Sequence, residues 1–227
     1  KLKCLANDLP TKDFAILRVV LAILQRSISP MLDDLDEDME PAEVWGQLWE
    51  ASELPIDVIE VYLAKWHDRF DLFDRDFPFM QVSGLERANG EQVDREDHES
   101  FLRRLVADFP SRKKKRLFTI RVAESAARLS YAESARWLIH TQSFDVAGPK
   151  NYVKGEPERY NKGGKTSPGG TGWCGRIGCL YLEGSTFKQT LLLNFDPRAF
   201  DNTDDFYSDE DVPIWELPSC DPSAGHE

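Results

Sequence analysis

Ten of the chain's fourteen glycines fall between Gly148 and Gly184, with Pro157 and Pro168 among them. Glycine loses more backbone freedom than any other residue when fixed in a helix or strand, and proline removes a hydrogen-bond donor. Most of this stretch therefore cannot supply a regular core element. The core of a 227-residue chain with 41% hydrophobic residues must come from the segments on either side. A long glycine-rich loop inside a compact domain is either functional or disordered.

The stretch contains Gly164-Lys165-Thr166, the ending of a nucleotide-binding P-loop. That pattern needs a glycine where Arg159 stands, an apolar strand where "GEPERYNK" runs, and a helix where the sequence continues "SPGGTG". Three structural requirements fail together. The segment is not a nucleoside triphosphate site, and a nucleotide-binding enzyme ranks as a remote reading.

The flanking segments read mostly as helix. Thr11–Ser27 has Thr11 placed as an N-cap and an apolar stripe of Phe14, Leu17, Leu21 and Leu24. "MLDDLDEDME" follows as an acidic surface loop, and Pro41 fits the first turn of a short helix carrying Val44, Trp45, Leu48 and Trp49. Pro55 opens another helix, with Ile59, Tyr62, Leu63, Trp66 and Phe70 on one side. "DLFDRDFPFMQV" reads as an extended segment pinned to the core, Ser83–Asp97 as loop, and Glu99–Phe109 as a short helix. Ser130 and Glu133 form a capping box before "AESARWLIHTQSF". "CLYLEG" reads as a strand, and "STFKQTLLLNF" as a helix capped by Ser185 or Thr186. The expected fold is α+β: a single mixed domain, mostly helical, with a small sheet and a long glycine-rich loop. The abrupt opening "KLKCLANDLP" and the ending "CDPSAGHE" suggest part of a longer protein.

Charge is segregated along the chain. The net charge of −12 by itself argues against nucleic acid as a partner. Yet residues 31–60 and 201–227 hold carboxylates and no Lys or Arg, whereas Arg103–Arg121 carries eight basic residues against Asp108 alone. The glycine-rich stretch adds Lys150, Lys154, Arg159, Lys162 and Lys165. Such asymmetry can set a local positive field on an acidic molecule, although "RKKKR" also suits a solvated loop.

Catalytic and metal chemistry find no constellation. Cys4, Cys174, Cys179 and Cys220 lack zinc or thioredoxin spacing, and reduced thiols of a cytoplasmic protein suit them better. No stretch approaches the apolar length needed to span a membrane. No nucleophile elbow is present, and His140, the best single candidate for acid–base work, reads more readily as a locally bonded helix histidine. No enzyme activity, cofactor or metal ion is expected. Binding fits better: glycines permit close backbone approach, lysines neutralise phosphates, and Phe118 either stacks on a base, wedges between base pairs or anchors its loop in the core.

Four blocks occur in order: "FAILRVVLAILQRS", "YLAKWHDRFDLFDRDFPFMQV", "ARWLIHTQSFDVAGPKNYVKGEPERYNKGGKTSPGGTGWCGRIGCLYLEGSTFKQTLLLNF" and "DVPIWE". Together they resemble the CasA family, large subunits of the type I-E CRISPR surveillance complex called Cascade. The resemblance covers nearly the whole chain and makes residues 1–227 an N-terminal domain portion. It lacks the family's strand-rich opening around Asp-Pro-Trp and the C-terminal helical bundle.

The resemblance implies a non-catalytic antiviral-defence subunit that recognises the protospacer-adjacent motif (PAM) in double-stranded DNA. It also implies help in opening the duplex and in recruiting a nuclease-helicase, with other Cascade subunits and CRISPR RNA as partners. A loop that touches DNA and the RNA 5′ end matches 117–123, with Phe118, Thr119 and Arg121. A glycine-rich loop entering the minor groove matches 147–172: Gly148, Pro149 and Lys150, continued by Lys154, Gly163, Gly164 and Lys165. In this reading the lysines hold phosphates and the glycines allow close approach. The minor groove shows few distinguishing groups, so such a reader is tolerant of sequence and guide pairing specifies the rest. A purely architectural subunit docking through its acidic surface is the alternative.

Overall fold

The computed structural model describes residues 4–5, 9–33, 41–84, 102, 105–107, 128–145, 150–151, 154, 165–166, 172–196 and 212–218. Helices dominate these residues. Where the sequence suggests a single domain, contacts group the chain into two compact units. One holds Lys1–Phe70 and Cys179–Pro218, the other Asp71–Gly178 and Ser219–Glu227.

The first unit is built on α1 (Pro10–Asp33), α2 (Pro41–Glu50), α3 (Ile56–Lys65) and α5 (Phe187–Leu193). Helix α1 opens at Pro10, not at a Thr11 cap. The Leu9 carbonyl accepts from the amides of Lys12 and Asp13, and a proline at the first position sacrifices no donor the helix needs. The helix also outruns its expected end at Ser27, continuing through Pro30 to Asp33, so Met31–Asp33 are helical rather than acidic loop. Proline in a helix removes a backbone bond and crowds the preceding turn. Burial of Leu24 (2% exposed) and Ile28 (0%), each worth about 1.5–3 kcal/mol, holds the last turns in place.

Spacing explains the core. Leu17, Leu24 and Ile28 fall on one face of α1, and Val44 and Leu48 are four apart on α2; they meet Leu191, Leu192 and Phe195. The Trp45 indole N–H donates to the Leu192 carbonyl at 2.8 Å and its ring stacks on Trp49. Thr186, rather than Ser185, caps α5, its side chain accepting from the Gln189 amide. Lys188 ties α5 to the end of α2 by donating to the carbonyls of Trp49 and Ala51. A short 3-10 turn at Ile214–Glu216 places Trp215 (5% exposed) and Glu216 beside α1 and α3.

"CLYLEG" is not a strand. It has no ladder partner among the described residues. Instead the Leu182 N–H donates to the Asn194 side-chain oxygen at 2.8 Å, and the Asn194 amide donates back to the Leu182 carbonyl at 2.7 Å.

The second unit centres on α4 (Tyr131–Phe144), with Trp137 (0% exposed), Ile139, His140 and Ser143 buried. Ser130 caps it as expected, accepting from the Glu133 amide at 3.2 Å. The segment 71–84 is a run of turns rather than an extended piece, because aspartates bond locally to the backbone. Asp71 accepts from the Phe73 amide, and Asp74 from those of Asp76 and Phe77. Phe79 is buried there, so its aromatic anchor holds while the chain turns around it. Leu102 and Leu105 are helical, and Val106, fully buried, already lies past that helix rather than within one reaching Phe109. One antiparallel ladder joins β1 (Lys150–Asn151) to β2 (Lys165–Thr166).

Candidate nucleic-acid interface

The glycine-rich segment leaves the end of α4 and returns to it. Asp145 is the C-cap of that helix, its amide bonded to the Thr141 carbonyl. On the return, the Gly172 amide donates to the Asp145 carbonyl and the Cys174 amide to the Ser143 carbonyl, both at 2.8 Å. The described ends of the glycine-rich segment, Asp145 and Gly172, are thus bonded to each other. Gly172 is required by contact: a Cβ there would sit 2.5 Å from the carbonyl carbon and oxygen of Ser143 and 2.6 Å from the Phe144 nitrogen. These are backbone atoms that no side-chain rotation can clear. Cys174, 2% exposed, seals the junction.

Inside the excursion the ladder is the second closure. Its register sets Lys150 opposite Thr166 and Asn151 opposite Lys165. Two lysines fifteen positions apart in sequence therefore belong to adjacent residue pairs of one short ribbon. Lys154 stands exposed at a turn just after β1. Lys165 and Thr166 lie in a strand, where a P-loop needs these residues to begin a helix.

The electrostatics of the base are specific. The C-terminal end of a helix carries partial negative charge, so α4 directs its unfavourable pole toward the excursion as far as an anion is concerned. Bonds from Cys174 and Gly172 occupy carbonyls at that pole. Attraction for phosphate must then come from the lysines.

Of the residues named from sequence, Lys150 and Lys165 share one ladder, and Lys154 follows β1 in the chain. Phe118, Thr119, Arg121, Gly148, Pro149, Gly163 and Gly164 lie outside the described residues. His140 is buried, edge-on to Trp137 at 5.3 Å and stacked on Phe144 at 5.5 Å. Among the described residues no cluster has the composition of a metal site, Cys4, Cys174 and Cys179 are in no disulfide, and no helix is long and apolar enough to cross a membrane.

Sequence reasoning missed the anchoring residues Ser143, Asp145 and Gly172 and the ladder partners Asn151 and Thr166. Nothing distinguishes Gly172 from its neighbours in a glycine-rich run except the backbone it touches. Sequence reasoning also missed the exposed pair Phe73 (66%) and Tyr131 (73%), edge-to-face at 5.0 Å in this unit.

Comparison with known proteins follows this geometry. Residues 1–227 match the family model for the CRISPR-associated protein Cse1. The chain is 28% identical over 210 residues to the CRISPR-associated protein CasA/Cse1 of Thermus thermophilus, covering 92% of this chain and 34% of that protein. It is similar to the crystal structure of Thermobifida fusca Cse1, with a TM-score of 0.73 and 36% identity over 96% of this chain and 37% of that one. Cse1 from Acidimicrobium ferrooxidans is similar at a TM-score of 0.65 and 35% identity, covering 96% of this chain and 36% of that one. The chain spans about a third of the length of these relatives.

Proposed function

The chain belongs to the family of the CRISPR-associated protein Cse1, and from that premise we propose that it is a non-catalytic, DNA-binding part of an RNA-guided CRISPR interference complex of type I-E. In this role it recognises the protospacer-adjacent motif in double-stranded DNA in the cytoplasm, supports duplex opening, and contributes to the surface that receives a nuclease-helicase. Its partners are the other Cascade subunits, the CRISPR RNA and the target duplex.

The observation that supports this reading is the bonding of Gly172 back to Asp145, with Lys150 and Lys165 on one ladder between them and Lys154 exposed just after β1. A closed base limits the entropy lost when such a loop is ordered in a groove. Lysines on a glycine-rich backbone suit a reader that approaches phosphates closely and takes little information from base edges. The loop at 117–123, with Phe118, Thr119 and Arg121, belongs to the same proposal as the element that touches DNA and the RNA 5′ end. Gly148, Pro149, Gly163 and Gly164 belong to it as positions of close backbone approach.

The test uses a guide-RNA complex depleted of its Cse1 subunit. This protein is added back, and binding to a matched duplex is followed with a correct or a scrambled adjacent motif. Tighter binding of the correct duplex by tenfold or more, only with the protein present, is the expected result. Equal binding of both duplexes would overturn motif reading and leave the architectural role.

A further inference from the structure

Residues 180–183 present one satisfied edge and one open edge. The N–H and C=O of Leu182 both bond to the Asn194 side chain, at 2.8 and 2.7 Å, and the Gly184 N–H bonds to Thr190 Oγ1 at 3.0 Å. A residue that sends both groups to one side is extended, as in an antiparallel ladder. Because backbone groups alternate sides along an extended chain, Leu182 and Gly184 face α5, and the groups of Tyr181 and Glu183 face away from it. No backbone bond to Tyr181 or Glu183 occurs among the described residues.

Gly184 fixes this arrangement. A Cβ there would lie 2.4 Å from the Gln189 Cβ and 3.0 Å from backbone atoms of α5, so the segment runs against the helix too closely for a side chain.

Free sheet edges are normally protected by lysine, proline or a bulge. Cys179–Gly184 has no Lys or Pro, and Glu183 is its single charge. Its apolar side chains are left in solvent: Leu180 is 88% exposed, Leu182 54% and Tyr181 37%. The Tyr181 phenol is held above its ordinary value, by burial and then by the carboxylates of Glu183 and Asp13, which marks the local field as negative. The edge is thus pre-extended, apolar and acidic.

We propose that the outer edge of residues 180–183 is a strand-addition site, occupied by an extended segment of a partner polypeptide with alternating apolar and basic residues. Its backbone completes the ladder at Tyr181 and Glu183, its apolar side chains cover Leu180 and Leu182, and a basic residue faces Glu183. A partner is favoured over a second copy of this chain because two molecules of net charge −12 repel. The site is independent of the excursion 146–171 and of the reading given to it.

Amide hydrogen exchange of the whole chain, resolved residue by residue, tests this with defined probes. These are a capped six-residue peptide alternating lysine and valine, its glutamate–valine counterpart, and the lysine peptide N-methylated on its pairing edge. Without peptide, Leu182 and Gly184 should exchange slowly and Tyr181 and Glu183 quickly. The lysine peptide should slow exchange at Tyr181 and Glu183 at least tenfold, and the N-methylated and glutamate peptides should not. Glu183→Lys should transfer the preference to the glutamate peptide. No slowing at millimolar lysine peptide, equal slowing by both charge types, or concentration-dependent protection without any peptide would each overturn the proposal, the last in favour of a second copy.

Discussion

Arg26 and Glu216, 190 positions apart, meet in a two-point ion pair, with guanidinium Nε and Nη at 2.9 and 2.7 Å from the two carboxylate oxygens. The same carboxylate accepts from the Tyr62 hydroxyl at 2.6 Å, and that hydroxyl accepts from the Trp215 indole N–H at 2.7 Å. Burial alone would raise the Glu216 carboxyl; the bonds from Arg26 and Tyr62 outweigh it and hold it below the usual carboxylate value. Burial, followed by the bond to Glu216, raises the Tyr62 phenol. Four side chains therefore join α1, α3 and the 3-10 turn at 214–216.

Glu216→Gln should destabilise the first unit by about 2 kcal/mol, since Gln cannot answer a guanidinium and Arg26 keeps partial access to water. A carboxyl depressed in the folded state stabilises above its unfolded value, and loses that contribution as pH falls through the lowered one. The melting difference between wild type and Glu216→Gln should accordingly be constant near neutrality and shrink below about pH 4.5. A difference that grows on acidification would contradict the pairing.

Tyr62→Phe removes the hydroxyl that links Trp215 to Glu216. The buried indole N–H is then left without its acceptor, at a cost of about 1–3 kcal/mol in urea unfolding. Because Tyr62 and Glu216 share a bond, the double variant Tyr62→Phe/Glu216→Gln should cost less than the sum of the two singles.

Gly172→Ala drives a methyl group into the backbone of Ser143 and Phe144. Overpacking against immovable atoms costs about 1–3 kcal/mol, and the chain can escape most simply by lifting the return strand of the excursion off α4. The Cys174 amide should lose protection from exchange while the amides of α4 keep theirs. Under the proposed function, duplex affinity should fall in the same variant.

Ser130→Ala removes the acceptor for the Glu133 amide and should cost about 1 kcal/mol in thermal unfolding of the second unit. Ser130→Asp should retain the cap and most of the stability.

Lys150→Ala with Lys165→Ala should weaken binding of the assembled complex to all duplexes alike. The slope of log affinity against log salt should flatten by about one per lost phosphate contact. Unchanged affinity and slope would remove both residues from the interface.

Local rules settled whatever depends on neighbours within a turn or two. Ser130 before Glu133 forms a cap in any context, Pro41 and Pro55 open helices, and apolar spacing of three, four and seven residues decided which faces of α1 and α2 are buried. Tertiary structure decided the rest, because the contacts responsible join residues that no periodicity connects. Continuation of α1 through Pro30 rests on burial of Ile28; Arg26 selected Glu216 across the chain; and Asn194, a side chain, holds the edge that "CLYLEG" needed from a neighbouring strand. The bond of Gly172 to Asp145, and the placement of Lys150 and Lys165 in adjacent pairs of one ladder, follow from backbone proximity. Residue type alone carries no record of that proximity, and in a glycine-rich run it has no side-chain pattern to betray it.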